Sequence, residues 1–254
     1  MNVSEMVTQT VATGVTPIEL GFKAVRNCRT GNPVGYRAEL AVNSVALGHI
    51  SESEYSKVSD SLEIGLRLTD RAIEKALTAT ERFARAKRHP AWISVRCPIE
   101  YAEAPDFYER VKKLLGDKDR KGHAALCLEF SDKLLSSGAD VGRAMLDLKL
   151  LGVKSMIVCE DADTTPFFKL VEIPADYILL TAKMTAMVSD RNKPAVLAAL
   201  TQYLQSVGVG VIATGARNTE EVRTYARLEY VGYVPDGETS VPFSEAVVQK
   251  EDSD

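Results

Sequence analysis

The stretch SMIVCEDADTT, residues 155–165, is typical of a short apolar strand that ends on three acidic residues and turns into a helix. A buried strand that stops on carboxylates is how an α/β barrel presents charge at one rim. An alternative is that Asp163 and Thr164 only cap the following helix. Other strands of the chain also end on or near a charged or hydroxyl-bearing residue, and this recurrence favours the barrel rim.

Outward from this stretch, strand-like and helix-like segments alternate along most of the chain. The predicted strands are 18–25, 34–42, 92–97, 124–130, 155–159, 177–181, 209–213 and 230–234. The predicted helices are 53–88, 105–116, 139–151, 166–172, 192–206 and 218–228. Such alternation predicts a mostly parallel sheet covered by helices.

The fold class predicted from this order is α/β, a closed (β/α)8 TIM-like barrel with an antiparallel first strand. Residues 29–33 have the composition of a turn, so the first two strands are expected to form a hairpin. Eight strands in this length fit a closed barrel better than an open sheet, and no Gly-rich nucleotide loop follows the first strand. We expect a loose tail at 1–15, a single barrel domain at 16–243, and a fraying acidic tail at 244–254.

Composition excludes several classes of function. Hydrophobic residues at 45% and charged residues at 26% are ordinary for a soluble globular protein. A net charge of −4 disfavours nucleic-acid binding. The four cysteines lack CxxC spacing and the three histidines share no ligand spacing, which predicts neither a disulfide framework nor a zinc site. Without a secretory signal or an apolar run of about 18 residues, the sequence predicts a cytoplasmic protein that does not bind membranes.

Several short motifs follow one another at the predicted strand ends. They are TGNPVGYRAEL (30–40), ISVR (93–96), LEFSD (128–132), LGV (151–153) with EDADT (160–164), VIATGA (211–216) and VGY (231–233). In order and spacing over residues 17–243, these motifs resemble the EAL domain family, the bacterial cyclic di-GMP phosphodiesterases. In active members of that family, carboxylates and one Asn at the strand ends hold two divalent metals, and a Lys assists. The resemblance therefore implies an EAL-type barrel with its site at the strand ends.

The chain departs from the family pattern at most of the functional positions. The signature Glu falls on Arg37, the metal-binding Asn on Arg96, the Lys on Leu179, the Glu after the seventh strand on Thr214, the Gln after the eighth on Val231, and a phosphate-contacting Arg on Ala41. The carboxylates that remain are Glu129, Asp161, and Glu160 in place of an Asp.

These departures predict a remnant site at the barrel mouth that has no catalytic residue, no metal and no cofactor. Arg37 and Arg96 would sit about where the cations sat, and they could pair with the remaining carboxylates. A shift of register by two residues could instead place Glu39 at the signature position, but the other losses would remain. Metal-dependent hydrolysis is therefore not expected, and the chain is predicted not to be an enzyme.

Three hypotheses on function follow from the resemblance. The favoured one is a non-catalytic EAL-like regulatory domain that binds an unidentified protein partner in bacterial signalling, in motility or second-messenger control. The alternative is a metal-independent cyclic di-GMP receptor that holds the phosphates with Arg37 and Arg96. An active phosphodiesterase with a rebuilt site is the least favoured. The chain could also form a homodimer, as many EAL domains do.

Overall fold

The computed structural model describes residues 18–44, 48–51, 62–116, 122–136, 141–161, 165–186 and 194–248. Its strands are β1 (Ile18–Arg26), β2 (Pro33–Ser44), β3 (Gly48–Ser51), β4 (Trp92–Arg96), β5 (Ala125–Ser131), β6 (Lys154–Cys159), β7 (Tyr177–Leu180), β8 (Gly210–Ala216) and β9 (Gly232–Pro235). Its α-helices are α1 (Leu62–Arg85), α2 (Ile99–Ala102), α3 (Phe107–Leu115), α4 (Val141–Leu150), α5 (Ala182–Thr185), α6 (Pro194–Ser206), α7 (Thr219–Arg227) and α8 (Phe243–Ala246). The predicted tail at 1–15 lies outside the described residues.

Eight of the strands form a closed barrel. Around the barrel the order is β1, β9, β8, β7, β6, β5, β4 and β2, and β1 closes the ring by pairing with β2. From β2 through β4 to β9 all neighbours are parallel, whereas β1 runs antiparallel to both β2 and β9. The predicted (β/α)8 barrel with an antiparallel first strand is thereby confirmed.

The hairpin between β1 and β2 explains the antiparallel first strand. The Asn27 side chain accepts hydrogen bonds from the backbone N–H groups of Arg29 (2.8 Å) and Thr30 (3.0 Å). Gly31 then adopts a positive φ of 72°, a conformation that costs little without a Cβ. A turn this short allows only an antiparallel pair, because a parallel connection needs a crossover.

Two apolar clusters separate the inside of the barrel from its helical layer. The inner cluster takes one buried side chain from each of seven strands: Val25, Trp92, Cys127, Met156, Leu179, Ile212 and Val234. The larger cluster joins the outer faces of the strands to the helices. The inner cluster packs apolar side chains inside the barrel, so the polar groups available for chemistry lie at the strand ends.

The structure differs from the sequence-based expectations at several places. A short strand, β3, extends the hairpin by pairing antiparallel with the end of β2, and its weak pattern gave no signal. The predicted helix at 166–172 is a 3₁₀ helix, Phe167–Val171. The predicted helix at 105–116 begins only at Phe107, and a separate turn of helix, α2, precedes it.

Residues 243–248 also contact the barrel, although the barrel domain was expected to end at 243 and to be followed by a fraying tail. The Tyr36 hydroxyl donates to the carbonyl of Ala246 (3.0 Å), and the Arg88 Nε donates to the carbonyl of Val247 (3.2 Å). The Phe243 ring lies 3.8 Å from the guanidinium carbon of Arg82. Residues 243–248 therefore belong to the barrel domain, because they cover the outer face beside β1, where the hairpin supplies no crossover helix. Residues 249–254 lie outside the described part of the chain.

None of the helices in the described part of the chain combines the length and apolar character that crossing a bilayer requires. The cytoplasmic location stays a prediction from the sequence.

The close approach of β2 and β4 gives a prediction on stability. An ideal Cβ on Gly35 would lie 2.5 Å from two atoms of the buried Trp92 ring. We expect Gly35→Ala to lower the free energy of unfolding by about 1–3 kcal/mol through overpacking, measured by urea denaturation. The matched control is Gly65→Ala in α1, where nothing lies within 4 Å of the added Cβ. That variant should be stabilised by about 0.5–1 kcal/mol, and equal effects of the two would contradict the argument.

Candidate functional site

The carboxyl ends of β2 and of β4 to β8 lie at one end of the barrel, which we call the mouth. Arg37 of β2 is in register with Ser94 of β4, and Arg96 of β4 is in register with Glu129 of β5. Residues two apart on a strand share a face, so Ser94 and Arg96 point to the same side. The register thus brings Arg37, Ser94, Arg96 and Glu129 to three adjacent strands at the mouth.

Arg37 and Glu129 form a bidentate ion pair. The Arg37 Nε donates to Glu129 Oε1 (2.8 Å), and one terminal nitrogen donates to Oε2 (2.6 Å). The hydroxyl of Ser94, on the strand between them, also donates to Oε1. Glu129 is 5% exposed. Both oxygens of this buried carboxylate are therefore engaged by donors from the protein.

Electrostatics keep Glu129 ionised. Burial by itself raises the pKa of the Glu129 carboxyl. The positive charge of Arg37, the hydrogen bonds from Arg37 and Ser94, and the charge of Arg96 act in the opposite direction, and together they lower the pKa below its ordinary value of 4.5. The carboxylate is thus a permanent anion at neutral pH, and a cation of the protein itself balances it.

The two acidic residues after β6 lie in different surroundings. Asp161 forms an ion pair with Lys183 of α5. The side chain of Glu160 is exposed, while its backbone N–H donates to Asp132 (3.3 Å). Asp163 and Thr164, which could have capped a helix, lie outside the described residues.

Asp132 ties the segment after β6 to the barrel. This carboxylate follows β5 and is buried. One of its oxygens accepts from the Thr165 hydroxyl (2.5 Å) as well as from the Glu160 N–H. The Glu160 N–H and the Thr165 hydroxyl, which flank residues 161–164 in the sequence, therefore share one buried acceptor.

The remaining positions of the predicted remnant carry no charge. Leu179 is buried in the inner apolar cluster. Thr214 donates its hydroxyl hydrogen to the carbonyl of Leu180 (3.1 Å), and Thr181 donates to the carbonyl of Glu160 (3.2 Å). Both hydroxyls thus satisfy strand-end carbonyls of neighbouring segments.

Val231 does not lie at the mouth, contrary to its assignment to the remnant site. Its side chain would lie 2.7 Å from a Cβ built on Gly210, the first residue of β8. It packs against the inner cluster beside Tyr177, the first residue of β7. Parallel strands start at the end of the barrel opposite the mouth, which we call the floor. Val231 therefore lies at the floor.

Glu39 lies on the same face of β2 as Arg37, two residues closer to the strand end. Its carboxylate pairs with Lys23 of β1 at 2.7 Å. The residue that a shifted register would place at the signature position is therefore also neutralised by a cation of the protein.

Four residues at the mouth were not singled out from the sequence: Ser94, Asp132, Lys183 and Lys23. Ser94 could have been found from its position two residues before Arg96 on one strand face. Asp132 belongs to the same motif as Glu129. Its position in that motif does not by itself show that its side chain is buried. Nothing in the sequence marks the two lysines, because each pairs with a carboxylate from a different element or loop.

The residues present do not fit a pair of divalent metals. Each such ion takes about six ligands, mostly oxygen. At the mouth, Arg37, Lys183 and Lys23 each neutralise a carboxylate that could otherwise contribute. Within the described ranges, no three His, Cys, Asp or Glu side chains are grouped so that they could hold a metal ion.

Comparisons with known proteins agree with this architecture. A family model described as "EAL domain" matches residues 9–232. A search of curated protein sequences returned no significant match.

Similar solved structures share the fold at low sequence identity. The cAMP-bound EAL enzyme Bd1971 is 17% identical with a TM-score of 0.78, over 96% of this chain and 68% of that one. The PaMucR phosphodiesterase in complex with c-di-GMP is 14% identical with a TM-score of 0.79, over 95% and 98% of the two chains. The FimX EAL domain from Pseudomonas aeruginosa, bound to c-di-GMP, is 14% identical with a TM-score of 0.74, over 92% and 94%.

The buried ion pair predicts a pH-dependent loss of stability in Glu129→Gln. This variant leaves the Arg37 charge without its partner, so the free energy of unfolding should fall by about 3–5 kcal/mol at pH 7. Because the folded-state pKa of Glu129 lies below its unfolded value, the pair stabilises fully above about pH 4.5 and loses its effect as the pH falls through the folded-state pKa. The difference between wild type and variant should therefore shrink in acid.

The measurement is urea denaturation of both proteins between pH 3 and pH 8, conditions chosen to span the ordinary carboxyl pKa of about 4. Glu74→Gln is the matched control, because Glu74 pairs with Arg71 on the exposed surface of α1. Its effect should stay within about 0.5 kcal/mol. A pH-independent difference for Glu129→Gln would show that the pair does not titrate as described.

The role of Asp132 gives a second prediction. In Asp132→Ala the Glu160 N–H and the Thr165 hydroxyl lose their common acceptor, and we expect a loss of about 1–3 kcal/mol in unfolding free energy. Hydrogen exchange of the Glu160 amide should accelerate. The Phe22 amide, bonded to the carbonyl of Val241 (2.8 Å), is the internal control and should exchange as in wild type at low denaturant. An unchanged hydrogen-exchange rate of the Glu160 amide would contradict the anchoring by Asp132.

Proposed function

The chain belongs to the EAL domain family, and we propose that it is a member without phosphodiesterase activity that acts through protein–protein interactions in bacterial cyclic di-GMP signalling. The observation that carries this proposal is the bidentate contact of Arg37 with Glu129. A guanidinium stands where the family's signature carboxylate would reach a metal, and it engages both oxygens of the carboxylate that remains.

The charge at the mouth supports the loss of metal-dependent hydrolysis. Replacing a metal-binding Glu by Arg37 changes the local charge by two units and removes two oxygen ligands. Arg96 adds a second positive charge close enough to influence Glu129. A divalent cation brought to this place would meet positive charge before it met free carboxylate oxygens.

The remaining family positions support the same conclusion. Leu179 occupies the position of the assisting Lys, and its side chain is packed among apolar neighbours inside the barrel. Thr214 occupies the position of the last metal-binding Glu, and a hydroxyl is a weaker ligand than a carboxylate. Transition-state stabilisation by two metals and an ammonium would therefore lack its main groups.

The PaMucR and FimX structures are complexes with c-di-GMP, and this ligand is the one to test on the present chain. Arg96 is exposed at the end of β4, so a phosphate could reach it. The alternative function, a metal-independent cyclic di-GMP receptor, depends on this residue more than on Arg37, whose donors face Glu129.

Calorimetric titration with cyclic di-GMP tests the proposal, with Ca²⁺ in one buffer and EDTA in the other. We expect no heat of binding in either. Incubation with Mg²⁺ or Mn²⁺ should yield no linear dinucleotide, while PaMucR phosphodiesterase assayed in parallel serves as the positive control. Metal-dependent product that disappears in Glu129→Ala would overturn the proposal.

Binding in both buffers would instead establish the receptor. The affinity for cyclic di-GMP should then fall at least tenfold in Arg96→Ala, since a charge-assisted contact to phosphate is lost. Arg85→Ala is the matched control, because Arg85 is an exposed arginine at the far end of α1.

The interaction part of the proposal predicts a protein partner. Immobilised chain should retain a protein from a lysate of its source in the presence of EDTA, and a heat-denatured sample of the chain should not. The purified partner should then bind the chain in solution with micromolar or tighter affinity. Failure of any candidate to bind in solution would contradict this part and leave the loss of catalysis untouched.

A further inference from the structure

Helix α1 presents a row of basic side chains to solvent. Between residues 65 and 85 of this helix, six residues are exposed, and five of them are arginine or lysine. We call these five the basic row: Arg67, Arg71, Lys75, Arg82 and Arg85. The sixth is Thr78, so none of the exposed residues in this range is acidic. The row is a local concentration of positive charge on a chain whose net charge is −4.

Helical spacing places the basic row along one line. The steps between the six exposed residues are four, four, three, four and three residues, and residues three or four apart lie on one face of a helix. At a rise of about 1.5 Å per residue, the row extends over about 27 Å. The opposite face of α1 packs on the barrel, where Ile73, Ala76 and Phe83 are fully buried. The row therefore runs along the outer surface of the helical layer.

Neighbouring side chains hold members of the row in place without covering them. Glu74 accepts a hydrogen bond from Arg71 (2.8 Å), whose side chain nevertheless stays 56% exposed. The guanidinium carbon of Arg82 lies 3.8 Å from the centroid of the Phe243 ring. The side chain of Arg85 is 81% exposed. Exposed ion pairs contribute little to stability, so these guanidinium groups can exchange their contacts for those of an acidic partner.

The carboxylate of Asp70, also on α1, is engaged by residues outside the row. The Tyr101 hydroxyl donates to one of its oxygens (2.7 Å), and a terminal nitrogen of Arg110 donates to the other (2.5 Å). Arg110 belongs to the neighbouring helix α3 and forms an ion pair with this carboxylate. A cation from another helix therefore balances Asp70, and the charge of the row stays positive.

The basic row does not suit an interface between two copies of this chain. A two-fold interface brings a surface against itself. Five cations would then face five cations, and like charges across an interface oppose binding. The row therefore calls for a different molecule, of opposite charge.

The surroundings of the row favour an acidic protein segment over a membrane or a nucleic acid. A helix that lies on a membrane inserts apolar side chains beside its basic ones, and single-stranded nucleic acids stack their bases on aromatic side chains. Between residues 65 and 85, no large hydrophobic or aromatic side chain is exposed. A nucleic-acid duplex carries one charge per about 1.7 Å of its axis and extends beyond the row, where it would meet a chain of net negative charge.

We propose that the basic row is the docking surface for an acidic helical segment of a partner protein. Glutamate or aspartate side chains spaced four and three residues apart on one helix would follow the row at the same pitch, about 6 Å for each four-residue step. Arginine donates to such carboxylates with two parallel hydrogen bonds. The inference rests on the interaction part of the proposed function and names the surface and the chemistry of the partner.

The test is titration of the full chain with a labelled synthetic peptide, measured by fluorescence anisotropy at about 50 mM salt. The peptide is an alanine-based helix of about 20 residues with glutamates four and three residues apart on one face. Its dissociation constant should be about 100 µM or lower. A peptide of the same composition with its glutamates distributed around the helix should bind at least about tenfold more weakly, and about 200 mM salt should weaken the first peptide several-fold.

Charge reversal in the row should abolish most of this affinity. Arg71→Glu combined with Lys75→Glu should raise the dissociation constant at least about tenfold, because two attractive contacts become repulsive. Arg71→Gln combined with Lys75→Gln should raise it less. The matched control is Arg223→Glu combined with Arg227→Glu on α7, since these two arginines are also exposed and four residues apart. This control changes the net charge equally and should bind the peptide as wild type does.

Equal weakening in the two charge-reversed variants would show that net charge decides, and would overturn the inference. Wild type that does not bind the peptide would overturn it too. So would row-dependent binding of duplex DNA, or of phosphatidylserine-containing vesicles, in place of the peptide. Retention of a partner by the immobilised chain in EDTA would leave the proposed function standing in each of these cases. Metal-dependent hydrolysis of cyclic di-GMP would overturn the proposed function and leave the peptide titration unchanged.

Discussion

The bidentate pair of Arg37 and Glu129 is the interaction on which the mouth of this barrel depends. Moving a carboxylate out of water costs several kcal/mol, and attraction to a cation offsets that cost only when the hydrogen bonds of the carboxylate are also satisfied. Here both oxygens accept from Arg37, and Ser94 donates to one of them. The arginine reaches Glu129 across an intervening strand, β4, so the pair exists only while the three strands keep their register.

The same pair limits the oxygen atoms that Glu129 can offer to a metal at the mouth. A guanidinium is a monovalent, planar donor that satisfies one carboxylate, whereas a divalent metal gathers about six oxygen ligands from several residues. Other carboxylates of the mouth also pair with cations of the protein: Lys183 pairs with Asp161, and Lys23 pairs with Glu39. The fold persists in relatives that are only 14–17% identical, because the barrel depends on packing and not on the ligand set.

One buried acid anchors the segment that follows β6. Asp132 accepts hydrogen bonds from Glu160 and Thr165, and Phe168 stands exposed three residues after Thr165. The segment that leaves β6 thus begins at the mouth, is anchored at Asp132, and ends on the helical layer.

The sequence by itself determined the barrel and its antiparallel first strand. Strand and helix periodicity and the turn at 29–33 are local signals, because each arises from side chains close together in the chain. The resemblance to the family also predicted that Arg37 could pair with one of the remaining carboxylates, and the structure identifies that partner as Glu129. The sequence could not place Val231 at the floor, nor pair Asp161 with Lys183 and Glu39 with Lys23. Only the tertiary structure decided these, because strand tilt and register set which distant side chains share one end of a barrel. The docking of residues 243–248 is likewise tertiary, because Phe243, Ala246 and Val247 pack against the core while Tyr36 and Arg88 bind carbonyls of the segment.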